Sequence, residues 1–310
     1  MNRLTTLLAA LLAVQLLLSA LLFWPREEQG EDEARTPLLR LVDGIDRVVM
    51  SDAESSLLMT LTDAGWRMPE YHGLPVDTAK LERALSDLPR LSRGWPVANS
   101  AAAGERFEVA EDSFQRRVEY FTGDIQQGAL YVGTSPGFRK VHVRVGDEPA
   151  VYSVEYNSFD LPVTEAEWLD KTLLQLEGVT AITGLDYHLQ LDGDTWRGDA
   201  DIDPDADVAS ELADALAGLR VTSAADLATA SILEEMGAPP TLTARAGDTS
   251  YEFRLFEIED AYYINRSDIP VYFSLSAYDY DRLNDVNQEM LYPPLKEDAE
   301  PGEAEADSAG

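Results

Sequence analysis

Residues 198–207 read GDADIDPDAD, which places aspartate at every second position: Asp199, Asp201, Asp203, Asp205 and Asp207. Carboxylates at this density are the hard oxygen donors that calcium prefers. Counted from Asp199 against the helix-loop-helix calcium template, acids fall on alternate positions. The sixth position, however, is Pro204 where glycine must make the sharp turn, and the twelfth is Ser210 where a bidentate glutamate belongs. The run therefore reads as a connector leading into a helix, with Asp207 in the capping position and Asp205 near the helix's positive end.

The remaining chemistry-bearing residues form no recognisable constellation. The three histidines, His72, His142 and His188, have none of the spacings of a zinc site, and they read as surface or half-buried polar groups. With no cysteine, the chain has no disulfide, thiolate metal site, cysteine nucleophile or lipoprotein anchor. It carries no nucleophile elbow, phosphate-binding loop or dinucleotide fingerprint. Carboxylate pairs are so abundant that any fold would bring two together, so their presence does not identify a hydrolase. No residue is assigned a catalytic, cofactor-binding or metal-ligating role, no cofactor is expected, and the chain reads as no enzyme.

The elements around these residues repeat once. IDRVVMSDAESSLLMTLTDAGWRM and VTAITGLDYHLQLDGDTWRG each give an apolar strand, a turn, a second strand and an acidic turn ending in Trp-Arg. Trp66 and Trp196 hold matching places, as do Leu61 and Leu191. A tryptophan that recurs in both copies reads as a buried anchor closing each hairpin onto its helix, against the alternative of a ligand-stacking platform. A helix follows in each copy. Leu81, Ala84, Leu85 and Leu88 share one face of the first, capped by Asp77, and Leu212, Ala215, Leu216 and Leu219 share one face of the second.

Alternating segments then predict antiparallel meanders: RRVEYFTG, GALYVGT, KVHVRVG and AVYSVEY in the first copy, PTLTARAG, SYEFRLFEI, AYYINR and PVYFSLS in the second. The fold class expected is α+β, two tandem related modules over residues 38–162 and 178–293. A connecting helix is expected over residues 163–177, with Trp168, Leu169, Leu173, Leu174 and Leu176 turned inward. The tyrosine-rich stretch 261–283 reads mostly as core strand, with some side chains outward as partner surface.

The 310 residues, 45% of them hydrophobic, are enough to bury a real core. Leu4 to Trp24 is free of charge and, as a helix, roughly 30 Å long, which matches the hydrocarbon thickness of a bilayer. Trp24 suits the interface and Pro25 ends the helix. The run is long for a cleaved signal peptide and lacks a small-x-small site, so it reads as a signal anchor. Residues 1–3 would then be cytoplasmic, and the body would lie in the periplasm of a Gram-negative cell. Residues 25–37 form an acidic tether and residues 294–310 a disordered acidic tail. The formal charge of −33, with only four lysines, argues against nucleic acid as a partner. Such a surface is common in proteins working at high salt.

The order of leucine-rich span, GWRM hairpin, VDTAKLERAL helix, LYVG and VYSV strands, WLDKTLLQL and a second copy with LEEMGAPPTLTARAG resembles the domain of unknown function 4340 (DUF4340) family. Its members are bacterial single-pass envelope proteins, often encoded beside gliding-type ABC transporter components. ERFEVAEDSFQRRVEY replaces the glycine-leucine-proline step expected after the first helix, so the first module is the more divergent. The resemblance implies a non-enzymatic accessory or scaffold protein, anchored in the bacterial inner membrane by its N-terminal helix, with the ABC permease or associated envelope proteins as candidate partners. The alternative is a calcium- or ligand-binding envelope module, and more distantly a carboxylate-dependent hydrolase.

Overall fold

The computed structural model describes residues 37–39, 43–198, 203–237 and 241–293, together with the helical positions Leu12, Val14, Gln15 and Ser19. Apart from those four positions and Pro37, the expected cytoplasmic N-terminus, span and tether (residues 1–37) lie outside the described residues, as does the acidic tail over 294–310. Among the described residues no helix is long and apolar enough to cross a membrane. The chain is α+β and divides into two compact units, Met1–Asp170 and Lys171–Gly310.

The first unit opens with three consecutive strands, β1 (Arg47–Ser51), β2 (Ser56–Thr62) and β3 (Gly65–Met68). Period-two alternation puts Val48 and Met50 on one face, opposite Met59 and Leu57 of β2, and all four are buried. A short β4 (Leu74–Pro75) leads into α1 (Thr78–Asp87), where Asp77 accepts the Lys80 amide at 2.9 Å and so satisfies one of the helix's free donors. The unit continues through β5 (Ala98–Asn99), α2 (Ala101–Arg106), β6 (Arg116–Thr122), β7 (Ile125–Val132), β8 (Lys140–Val145), β9 (Ala150–Glu155) and α3 (Glu165–Trp168). Among the described residues its strands make one nine-stranded antiparallel sheet, ordered β4-β3-β2-β1-β6-β7-β8-β9-β5. Leu81 and Ala84 of α1 are buried, as are Val118 and Tyr120 of β6, which sit opposite Met50 and Val48. Gly133, just past β7, is set by close approach: a Cβ there would lie 2.0 Å from the Phe107 carbonyl oxygen.

The second unit holds β10 (Val179–Thr183), β11 (His188–Asp192), β12 (Thr195–Gly198), α4 (Ala206–Ala217), β13 (Val221–Ala224), α5 (Leu227–Met236), β14 (Leu242–Ala246), β15 (Thr249–Ile258), β16 (Ala261–Arg266), β17 (Phe273–Leu275), α6 (Ala277–Asn284) and α7 (Gln288–Leu291). The described strands form an eight-stranded antiparallel sheet, ordered β12-β11-β10-β14-β15-β16-β17-β13. Leu255, Ile264 and Phe273 lie side by side across β15, β16 and β17 and are buried, a row that welds the meander. The helix α4 buries Leu212, Ala215 and Leu216, and Leu219 is buried just beyond it, all at the expected positions.

Two local expectations are corrected. The connecting helix over 163–177 is only the four residues of α3, followed by turns. The backbone is diverted because the edge at β4 recruits it: Asp77 N–H donates to the Trp168 carbonyl at 2.7 Å, and Asp170 N–H donates to the Pro75 carbonyl at 2.9 Å. Trp168, Leu169, Leu174 and Leu176 are nevertheless buried, with Leu173 intermediate. The second correction is the cap of α4. It is Asp205, whose Oδ1 accepts the amides of Asp207 at 3.0 Å and Val208 at 3.2 Å, while Asp207 is an exposed first-turn residue. Pro204 fixes the chain one residue before the turn begins, so helix geometry starts two residues earlier than an Asp207 cap requires.

Candidate functional site

Of the five alternating aspartates, Asp199 and Asp201 lie outside the described residues. Asp203 forms an ion pair with Arg197 at 2.7 Å and Asp205 is committed to the cap, while Asp207 is exposed on the first turn of α4. Among the described residues no group of three or more histidines and carboxylates is arranged to hold a metal ion. His142 is buried and makes a 2.9 Å hydrogen bond through Nδ1 with the Thr134 hydroxyl, while its ring lies 4.2 Å from that of Phe107. Burial holds its pKa below the ordinary histidine value, with the positive charge of Arg106 adding to the effect. His188 pairs with Thr183 at 2.8 Å, and His72 occupies a left-handed turn after β3. Trp66 and Trp196 are both buried, each opposite the leucine that recurs with it, Leu61 and Leu191.

The first unit carries an open cavity of about 610 Å³ at the β8/β9 end of its sheet. One wall comes from the end of α1 and the turn after it, through Asp87, Arg90 and Leu91. The β7–β8 turn supplies Phe138 and Arg139, and the end of β9 supplies Glu155, Tyr156, Asn157 and Asp160. Asp87 and Arg90 neutralise each other at 2.7 Å. Arg139, Glu155 and Asp160 have no side-chain partner among the described residues. The Tyr156 hydroxyl is buried and meets no hydrogen-bonding partner among them. Its burial, with Asp160 and Asp87 nearby, pushes its pKa well above the ordinary phenol value, so it remains a protonated donor.

Phe138 is 91% exposed and Phe159, between lining residues Asn157 and Asp160, is 83% exposed. Neither aromatic drew attention in the sequence. The signal available was Phe138 itself: SPGFRK is a proline-glycine turn, where a large apolar side chain serves no local purpose. A second recess of about 580 Å³ lies beside Asp52, Glu54, Glu108 and Asp112. Its acids are partly committed, since Asp52 accepts the Glu54 and Ser55 amides and pairs with Arg116, and Glu108 accepts the Gln115 amide.

The second unit presents α5. Asp226 caps it by accepting the Thr229 amide and hydroxyl at 2.9 Å each, yet only Leu233 of the helix is buried. Leu227 is exposed at its start, and Ile232 and Met236, one turn apart on a shared face, are about half exposed. Ile232 and Met236 thus leave apolar surface in water, whose burial would be favourable.

The family described as Domain of unknown function (DUF4340) matches residues 66–238, more than half of the chain. No curated protein and no solved structure matches.

Proposed function

The chain belongs to the DUF4340 family, and from that premise we propose that it is a non-enzymatic accessory or scaffold component of a gliding-type ABC transporter complex, held at the bacterial inner membrane with its body in the periplasm. The observation that carries the reading is the exposed apolar pair Ile232 and Met236, one turn apart on α5, a helix of which only Leu233 is buried. An exposed apolar pair on a protein of charge −33 suits a protein partner better than an anionic lipid surface, which the charge repels.

The charge-free sequence Leu4 to Trp24 supports the anchor, with the acidic residues 25–37 as a tether. With the extra edge strand β4 set aside, the common order of the two sheets supports a tandem duplication: β3-β2-β1-β6-β7-β8-β9-β5 in one and β12-β11-β10-β14-β15-β16-β17-β13 in the other. In this reading each module is a rigid display surface, and α5 of the second module is the contact element. The test is co-purification of the full chain with the permease in mild detergent. The wild type is retained and an Ile232→Glu, Met236→Glu variant is lost, because two charges would be buried without partners. Repeated recovery of the wild type as a free monomer overturns the reading.

A further inference from the structure

The cavity of the first unit has a chemistry that the transporter reading does not use. Its unengaged groups are of both kinds. The Arg139 guanidinium is a donor, and the Glu155 and Asp160 carboxylates are acceptors. An anionic ligand would face Glu155, Asp160 and Asp87, and a cationic one would face Arg139 and Arg90. An apolar ligand would desolvate all of them without compensation.

A sugar hydroxyl donates and accepts at once, so a row of them can lie between donors and carboxylates without bringing net charge. The apolar component of such a ligand is the C–H face of the ring, and Phe138, exposed on its turn at the cavity rim, offers the flat surface that this face stacks on.

We propose that this cavity binds a neutral oligosaccharide, with one ring stacked on Phe138 and its hydroxyls shared between Arg139 and the carboxylates of Glu155 and Asp160. The site is independent of α5, so it can fail or hold without affecting the transporter reading.

The test uses the full chain in a zwitterionic detergent free of sugar headgroups, titrated by calorimetry with maltohexaose, cellohexaose, N-acetylchitohexaose and mannohexaose. At least one binds saturably with Kd of about 1 mM or tighter. Phe138→Ala and Arg139→Gln each weaken it about tenfold, and neither removes a buried side chain. Inorganic phosphate and choline at the same concentration do not compete. The proposal is overturned by absence of saturable binding for all four sugars up to about 10 mM, by binding that survives both Phe138→Ala and Arg139→Gln, or by competition from phosphate or choline. Loss of permease co-purification in Phe138→Ala, without sugar binding in the wild type, would make the rim a protein contact instead.

Discussion

Asp205→Ala should destabilise the second unit, whereas Asp207→Ala should hardly do so. Asp205 Oδ1 holds the amides of Asp207 and Val208, at 3.0 and 3.2 Å, two of the donors that a helix start leaves unpaired. Removing a capping carboxylate costs about 1 kcal/mol, within a range of about 0.5–2. For a unit of this size that is a fall of about 3–5 °C in melting temperature. Amide exchange along α4 should accelerate about fivefold, the factor that 1 kcal/mol gives for an opening equilibrium. Asp205→Asn keeps an acceptor oxygen and should cost only a few tenths of a kcal/mol.

Asp207 makes no such bond. Its contribution is its charge near the positive end of the helix, worth about 0.3–1 kcal/mol at low ionic strength and less in salt. In a chain of formal charge −33 its removal also relieves repulsion, so the two effects oppose each other. Exchange measured by mass spectrometry on peptides covering Ala206–Ala217, in about 0.15 M salt, separates the variants. An Asp207→Ala effect equal to or larger than that of Asp205→Ala refutes the assignment of the cap and the register of the connector with it.

Two further outcomes follow from particular contacts. Gly133→Ala should destabilise the first unit by about 1–3 kcal/mol, because the added Cβ meets the carbonyl oxygens of Phe107 and Glu108 at 2.0 and 2.3 Å and backbone must move; denaturant unfolding checks it. His142 is buried and its folded pKa lies below its unfolded value, so the stability tied to its neutral form is complete above about pH 6.5 and is lost as pH falls through the folded pKa. Melting temperatures across pH 7 to pH 5 should show this slope in the wild type, and His142→Gln should remove that component.

What was legible in the sequence is what repetition and burial write into it. The alternation of Val48, Met50, Leu57 and Met59, the four-residue spacing on α1 and α4, and the paired Trp66 and Trp196 are all demanded by a core, and all are buried where expected, save Leu85 of α1, which is intermediate. The short elements were not legible. The strands β5 and β13 and the helices α2, α6 and α7 are too brief for a period to appear: Val97 N–H donates to the Val151 carbonyl beside β5 and Val221 N–H of β13 to the Lys171 carbonyl, while Ser100, Ser276 and Asn287 cap the three helices. The connecting helix failed for the related reason that an apolar run fixes burial and not conformation, so Trp168 and Leu169 could be interior while the chain turned.

The candidate sites fell outside that reach for the opposite reason. A core position is specified by its neighbours along the chain, whereas Phe138, Arg139, Glu155, Tyr156 and Asp160 come from a turn and a strand end that only the β8–β9 pairing brings together. The densest cluster of acid in the sequence proved least informative, since Asp203 and Asp205 answer to Arg197 and to the amides at the start of α4. A single phenylalanine in a proline-glycine turn carried more. In a chain where acid is the default surface residue, an aspartate at the surface needs no cause beyond solvation, while an aromatic side chain left in water has a cost that nothing in its own turn offsets. Exposed apolar residues, in Phe138 and Phe159 as in Leu227, Ile232 and Met236, are therefore where this surface departs from its own composition, and they mark the places to test first.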